Sequence, residues 1–160
     1  MSKKNRIGRA VGVDQVTLAF ESFAYAYALV RPQFAPPMQD GALDVQAAAQ
    51  RYGEFSYRIM PAAVLLAFTI EVGLKALLMK ARGEFKAVQE LQVLADDLPA
   101  DMRAPLTAAA GLEWSSLHQA LAKIGKVVEQ WRYAFETESV SMDEQHLEPL
   151  IPAIREMLTF

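Results

Sequence analysis

The chain has no cysteine, which excludes disulfides, zinc–thiolate centres and thiol catalysis. Histidine is scarce, with only His118 and His146. There is no glycine-rich phosphate loop, serine elbow or histidine cluster, so the usual signatures of nucleotide-hydrolysing, acyl-transfer and metallohydrolase enzymes are missing. No stretch alternates with the period of a strand, and no repeat or low-complexity segment breaks the sequence. A net charge of −3 gives no global attraction to nucleic acid or to a membrane surface. The absence of thiols suits a reducing compartment, and a cytoplasmic location is expected. The basic residues near the N-terminus precede no apolar stretch, so no signal peptide is expected there.

What the chain does have is 160 residues, 52% of them hydrophobic, enough for one domain with a real core. Lys3, Lys4, Arg6 and Arg9 give residues 1–13 a charge of +4 and leave −7, by difference, on the remainder. These residues read as a solvated basic arm, ahead of a single domain over residues 14–160. The most distinctive segment is Pro61–Gly83, apolar almost all round, as in a central helix with neighbours on every side. Glu71 and Lys75 sit in its middle, four residues apart and on one face. They also limit the uncharged run to Ala62–Ile70, far short of the ~20 residues that span a bilayer, so no membrane association is expected. At 100° per residue, Val64, Phe68 and Leu78 project close to Glu71, where a charge needs a partner.

The remaining elements follow from periodicity and caps. Asp14 reads as the N-cap of a helix to Val30, with an apolar stripe of Val16, Phe20, Phe23, Tyr27 and Val30. Arg31-Pro32 ends it, and a proline-rich loop runs to Gly41. A short helix is expected from Leu43 to Tyr52, broken by Gly53. The central helix starts near Ile59, and Gly83 follows it as a C′ residue behind Lys80 and Arg82. Gln89–Leu98 reads as a short helix closed by Pro99, with a loop through Gly111. Ser115 or Ser116 would cap a long helix on the seam Leu117, Leu121, Ile124, Val128, Trp131 and Phe135. A last helix covers Glu148–Leu158, with Pro149 and Pro152 in its first turn. The sum is an all-α, up-and-down bundle of about five helices.

A second polar patch lies at the end of the long helix, where Glu129, Arg132, Tyr133 and Glu136 flank the seam. Two readings fit it. One is an exposed ladder of i,i+3 and i,i+4 ion pairs. In the other, Arg132 crosses the bundle to Glu71 through its bidentate fork, either framing a pocket or fixing helix register. Asp143 and His146 are spaced for one helix face, but two ligands without a third do not make a metal site. Asp96, Asp97 and Asp101 read as a solvated acidic loop. No metal or cofactor is expected.

Three segments in order, Thr69–Leu78 (Thr-Ile-Glu-Val-Gly-Leu-Lys-Ala-Leu-Leu), Gln89–Leu98 and Trp131–Glu136 (Trp-Arg-Tyr-Ala-Phe-Glu), resemble the HEPN superfamily of α-helical bundle domains over roughly residues 14–158. The resemblance implies a four- to five-helix bundle, often dimeric. Its active branch is metal-independent ribonucleases, many of them toxins paired with a nucleotidyltransferase-like antitoxin. Arg132 matches the arginine of their Arg-x4-6-His motif, but Thr137, Glu138 and Ser139 stand where the histidine would be. Gln89 likewise replaces the histidine of the middle segment. The expected function is therefore a non-catalytic binding module that uses Glu71, Lys75, Glu129, Arg132, Tyr133 and Glu136 for RNA, a nucleotide or a protein partner, with no catalytic residue. A divergent ribonuclease, assisted by His146 or Tyr133, is the alternative. A structural, dimerising bundle without a ligand is the third reading. Apolar surface around Tyr25–Tyr27 and Phe55–Tyr57 points to a homodimer.

Overall fold

A computed structural model describes residues 11–30, 38–39, 42–43, 45–130 and 144–159, with side chains over 11–30, 61–126 and 146–159. The protein is an all-α bundle. Among the described residues five helices have ten residues or more: α1 Val13–Val30, α2 Val45–Arg82, α4 Ala100–Ala110, α5 Trp114–Gln130 and α7 Leu150–Thr159. Two short ones, α3 Leu91–Asp96 and α6 Glu144–Leu147, join them. The only strands among the described residues are the two-residue pair β1 Met38–Gln39 and β2 Ala42–Leu43, antiparallel with Met38 opposite Leu43.

Helix α2 is the axis of the fold, meeting α1, α7, α5 and α3. By length and composition its Pro61–Arg82 part could cross a membrane, yet most of it is covered by the other helices of the same chain. Ala62, Leu66, Ile70, Leu74 and Leu77 are fully buried, each leucine or isoleucine contributing about 1.5–3 kcal/mol of apolar burial. Thr69, buried among them, satisfies its hydroxyl by donating to the Leu65 carbonyl at 2.6 Å. Gly73 marks the crossing point of three helices. A Cβ built there would lie 3.0 Å from two side-chain carbons of Ile154 on α7 and from the Phe20 ring on α1.

Several expected boundaries hold and several move. Helix α1 buries Val16, Phe20 and Tyr27, with Ala24 inside and Phe23 only half-buried. Its first turn is accepted by the Gly12 carbonyl, with Asp14 inside the helix instead of capping it. Gly53 does not break a short helix: α2 runs unbroken through Gly53 and Pro61. One glycine costs about 1 kcal/mol and a proline about 3 kcal/mol in a helix interior, less than the following apolar run gains on burial. Gly83 takes φ +76° and its N–H reaches the Met79 carbonyl at 2.9 Å, the expected C-terminal stop.

The region expected to be a loop before Gly111 is instead the eleven-residue helix α4. Pro99 precedes it, Asp101 lies in its first turn, and Gly111 closes it at φ +63°. Pro105 inside the helix masks that pattern in the sequence. Helix α5 starts at Trp114, one turn opening on the Glu113 carbonyl instead of on a serine cap. Leu117, Leu121 and Ile124 are buried as their spacing predicts. The continuation of that seam to Trp131 and Phe135 lies outside the described residues, and so do the basic arm over residues 1–10 and the residues after Gln130 up to Asp143. The C-terminal helix begins at Leu150, after the separate turn of α6.

Polar contacts tie the ends together. Arg155 donates to both carboxylate oxygens of Glu21 at 2.8 Å, joining α7 to α1. That bidentate hydrogen bond holds the Glu21 carboxyl below its ordinary range, against a smaller opposing effect of burial, and raises Arg155. Lys80 donates to the Met157 and Leu158 carbonyls at 2.8 and 3.2 Å, placing a cation at the negative end of α7. Arg103 donates to the Leu98 and Asp96 carbonyls, and its guanidinium lies 5.2 Å from the Trp114 ring.

Candidate functional site

Glu71 and Lys75 are brought together as their spacing predicts. Lys75 Nζ lies 2.5 Å from Glu71 Oε1, with both side chains at least four-fifths buried. The ammonium also sits 5.6 Å from the Phe85 ring, so it has an anionic partner and an aromatic face. A cation of its own helix thus meets Glu71. Its partner is one turn away on α2, where i,i+4 geometry brings the two heads together. Leu78, expected beside Glu71, is buried in the core, and Val64 and Phe68 are half-buried. Phe68 stacks on Phe23 of α1 with ring centroids 5.7 Å apart, holding the wall beside Glu71 firm.

Glu71 does more than close on Lys75. With Ala67 and Phe68 it forms one wall of a groove of about 640 Å³. The second wall is the segment Ala87–Gln92, which enters α3, and the floor is Ala122, Gly125 and Lys126 of α5. A Cβ at Gly125 would make ordinary contact with Leu91, 3.6 Å from its Cγ, so the glycine leaves room at the floor without being required by a close crossing. The groove is thus lined by one aromatic residue, Phe68, two glutamines, Gln89 and Gln92, two glutamates, Glu71 and Glu90, and one lysine, Lys126. Its volume lies within the roughly 300–1,000 Å³ typical of small-molecule sites.

Of the residues expected at the site, Glu71 and Lys75 are thus found together. Arg132, Tyr133 and Glu136 lie outside the described residues, as does the side chain of Glu129. The meeting of Arg132 with Glu71 therefore falls there as well. Sequence reasoning missed Phe68 as a groove wall, and Gln89, Glu90, Gln92 and Lys126 as its polar lining. Gln89 carried a signal, since it stands at the altered histidine position of the middle segment. The others depend on α3 and α5 converging in space.

The other candidates have partners within the fold. The expected acidic loop is divided between the end of α3 and the first turn of α4, and two of its three aspartates have side-chain partners: His118 Nε2 lies 3.0 Å from Asp96 Oδ2, and Lys86 pairs with Asp97 at 2.9 Å. His146 Nδ1 is 3.1 Å from the Ala110 carbonyl, linking α6 to the end of α4. Among the described residues no three histidine or acidic side chains gather as a metal site would require. No protein-family model, curated protein or solved structure matches this chain.

Proposed function

We propose that the protein is a HEPN-like, non-catalytic binding module whose groove beside Glu71 takes a nucleotide unit, free or within single-stranded RNA. The observation that carries this reading is the composition of the groove lining, which combines Phe68, Gln89, Gln92, Glu71, Glu90 and Lys126. Amide and carboxylate side chains match the donor and acceptor edges of a base, and an aromatic wall suits its flat face. Lys126 supplies a cation for a phosphate, and Arg132, close behind it in the sequence, would add a second. A polyanion with no base contact would gain little here, because Glu71 and Glu90 oppose it.

The test is titration with adenosine and uridine monophosphates and with a short oligouridylate, followed by calorimetry. Saturable binding that weakens at least about tenfold in Lys126→Ala or Gln92→Ala supports the reading. Binding of none of the three probes at millimolar concentration overturns it. One observation favours a second reading: Lys75 closes directly on Glu71, so the pair could serve only to stabilise α2 inside a structural, dimerising bundle. Under that reading no groove substitution alters any binding property.

A further inference from the structure

Helix α1 has two unlike faces. Val16, Phe20, Ala24 and Tyr27 are buried, yet Leu18, Tyr25 and Leu29 are 70, 68 and 57% exposed, with Val11 ahead of the helix at 42%. The expected apolar surface at Tyr25–Tyr27 is therefore half right, since Tyr25 is exposed and Tyr27 is core. The side chains of Phe55–Tyr57 are outside the described ones. At 100° per residue Leu18, Ser22, Tyr25 and Leu29 fall within about 60° of one another. They form a stripe roughly 17 Å long at 1.5 Å per residue, with the alternating four- and three-residue spacing of a coiled-coil seam. The exposed side chains of Leu18, Tyr25 and Leu29, with Val11 just ahead of the helix, offer roughly 350 Å² of apolar surface, taking about 150 Å² for each one fully exposed. A stable dimer buries about 800 Å² per partner, a little over half of it apolar. The stripe supplies most of that apolar share.

We infer that this stripe is the interface with a second copy of the chain, the two α1 helices packing antiparallel about a two-fold axis between Ser22 and Tyr25. That register is set by side-chain volume and by charge. It places Leu18 of one copy against Leu29 of the other and the large Tyr25 against the small Ser22. Ser22 already donates its hydroxyl to the Leu18 carbonyl at 2.8 Å, so it accepts an apolar neighbour without losing a hydrogen bond. The charged residues of α1 are Asp14 and Glu21 only, both acidic. A parallel pair would set each carboxylate against its own copy, whereas the antiparallel pair separates them and also opposes the two helix dipoles. Glu21, at the edge of the stripe, is held by Arg155 within its own protomer, so it meets the interface already neutralised. This interface does not depend on the groove beside Glu71, which lies on other elements.

The experiment is sedimentation velocity on the full chain at tens of micromolar, comparing wild type with Leu18→Glu, Leu29→Lys and the double variant. The wild type should sediment as a dimer. Each single change puts a charge against a leucine and should weaken association about 100-fold or more, with the helical circular-dichroism spectrum at low temperature unchanged because both positions are exposed in the protomer. In the double variant each new carboxylate faces a new ammonium across the two-fold axis, and dimer should return. A monomeric wild type overturns the proposal, as does a dimer indifferent to both single changes. Failure of the double variant to recover while its low-temperature helical spectrum is normal overturns the antiparallel register.

Discussion

The same substitution, glycine to alanine, should have opposite effects at two helical positions of this protein. In a helix interior, alanine is favoured over glycine by roughly 1 kcal/mol, because glycine loses more backbone freedom on folding. At Gly125 the added methyl meets Leu91 Cγ at 3.6 Å, an ordinary contact. Gly125→Ala should therefore keep most of that gain, about 0.5–1 kcal/mol, or roughly 1–4 °C in Tm for a chain of this size. At Gly73 the methyl would meet three carbons at 3.0 Å, on the fully buried side chains of Ile154 and Phe20. Those neighbours belong to two helices held together by the Arg155–Glu21 pair, so neither has free room. Overpacking of this kind costs about 1–3 kcal/mol, which outweighs the propensity gain. Gly73→Ala should lower Tm by roughly 2–6 °C. Paired thermal melts with calorimetric enthalpies measure both. A Gly73→Ala protein as stable as, or more stable than, wild type would refute the three-helix crossing at that residue.

Glu71→Gln leaves Lys75 without its anionic partner in a site at least four-fifths buried. It should cost about 1–2 kcal/mol, less than a fully buried pair because the lysine head can reach water, as read by urea denaturation. For the Glu21–Arg155 pair the pH sign follows from a depressed carboxyl. Its contribution is present above the ordinary glutamate value of 4.5 and is lost as pH falls through the lower folded-state value. A double-mutant cycle should find about 0.5–1 kcal/mol of coupling at pH 7, reduced by salt and vanishing in strong acid. Purified protein should cleave RNA no faster than buffer does, since Thr137, Glu138 and Ser139 offer no group that ordinarily titrates near neutrality. Cleavage that disappears in His146→Ala or Tyr133→Phe would restore the divergent-ribonuclease reading.

The helices that were legible in the sequence are those where one signal dominates. The apolar stripe of α1, the all-apolar surface of Pro61–Arg82 and the Gly83 stop each state their structure locally. Errors fell where two local signals compete. Gly53 and Pro61 argue for a break that burial of the rest of α2 overrides, and Pro105 hides α4 between otherwise clear boundaries at Pro99 and Gly111. At the site, Glu71 and Lys75 were legible because four-residue spacing fixes their contact without any tertiary information. The groove was not, because its second wall at Ala87–Gln92 and its floor at Gly125 and Lys126 are more than fifteen and more than fifty residues away along the chain. Apart from Gln89, nothing in their local pattern marks them as the lining of a groove.

The most direct test of the central claim, that the groove beside Glu71 holds a nucleotide unit, is amide chemical-shift mapping on isotope-labelled protein titrated with uridine monophosphate and a short oligouridylate. Saturable shifts concentrated at Gln89, Leu91, Gln92, Gly125 and Lys126, and lost in Gln92→Ala, are the expected result. Absence of shifts there at saturating probe, or shifts confined to another face of the bundle, would contradict it.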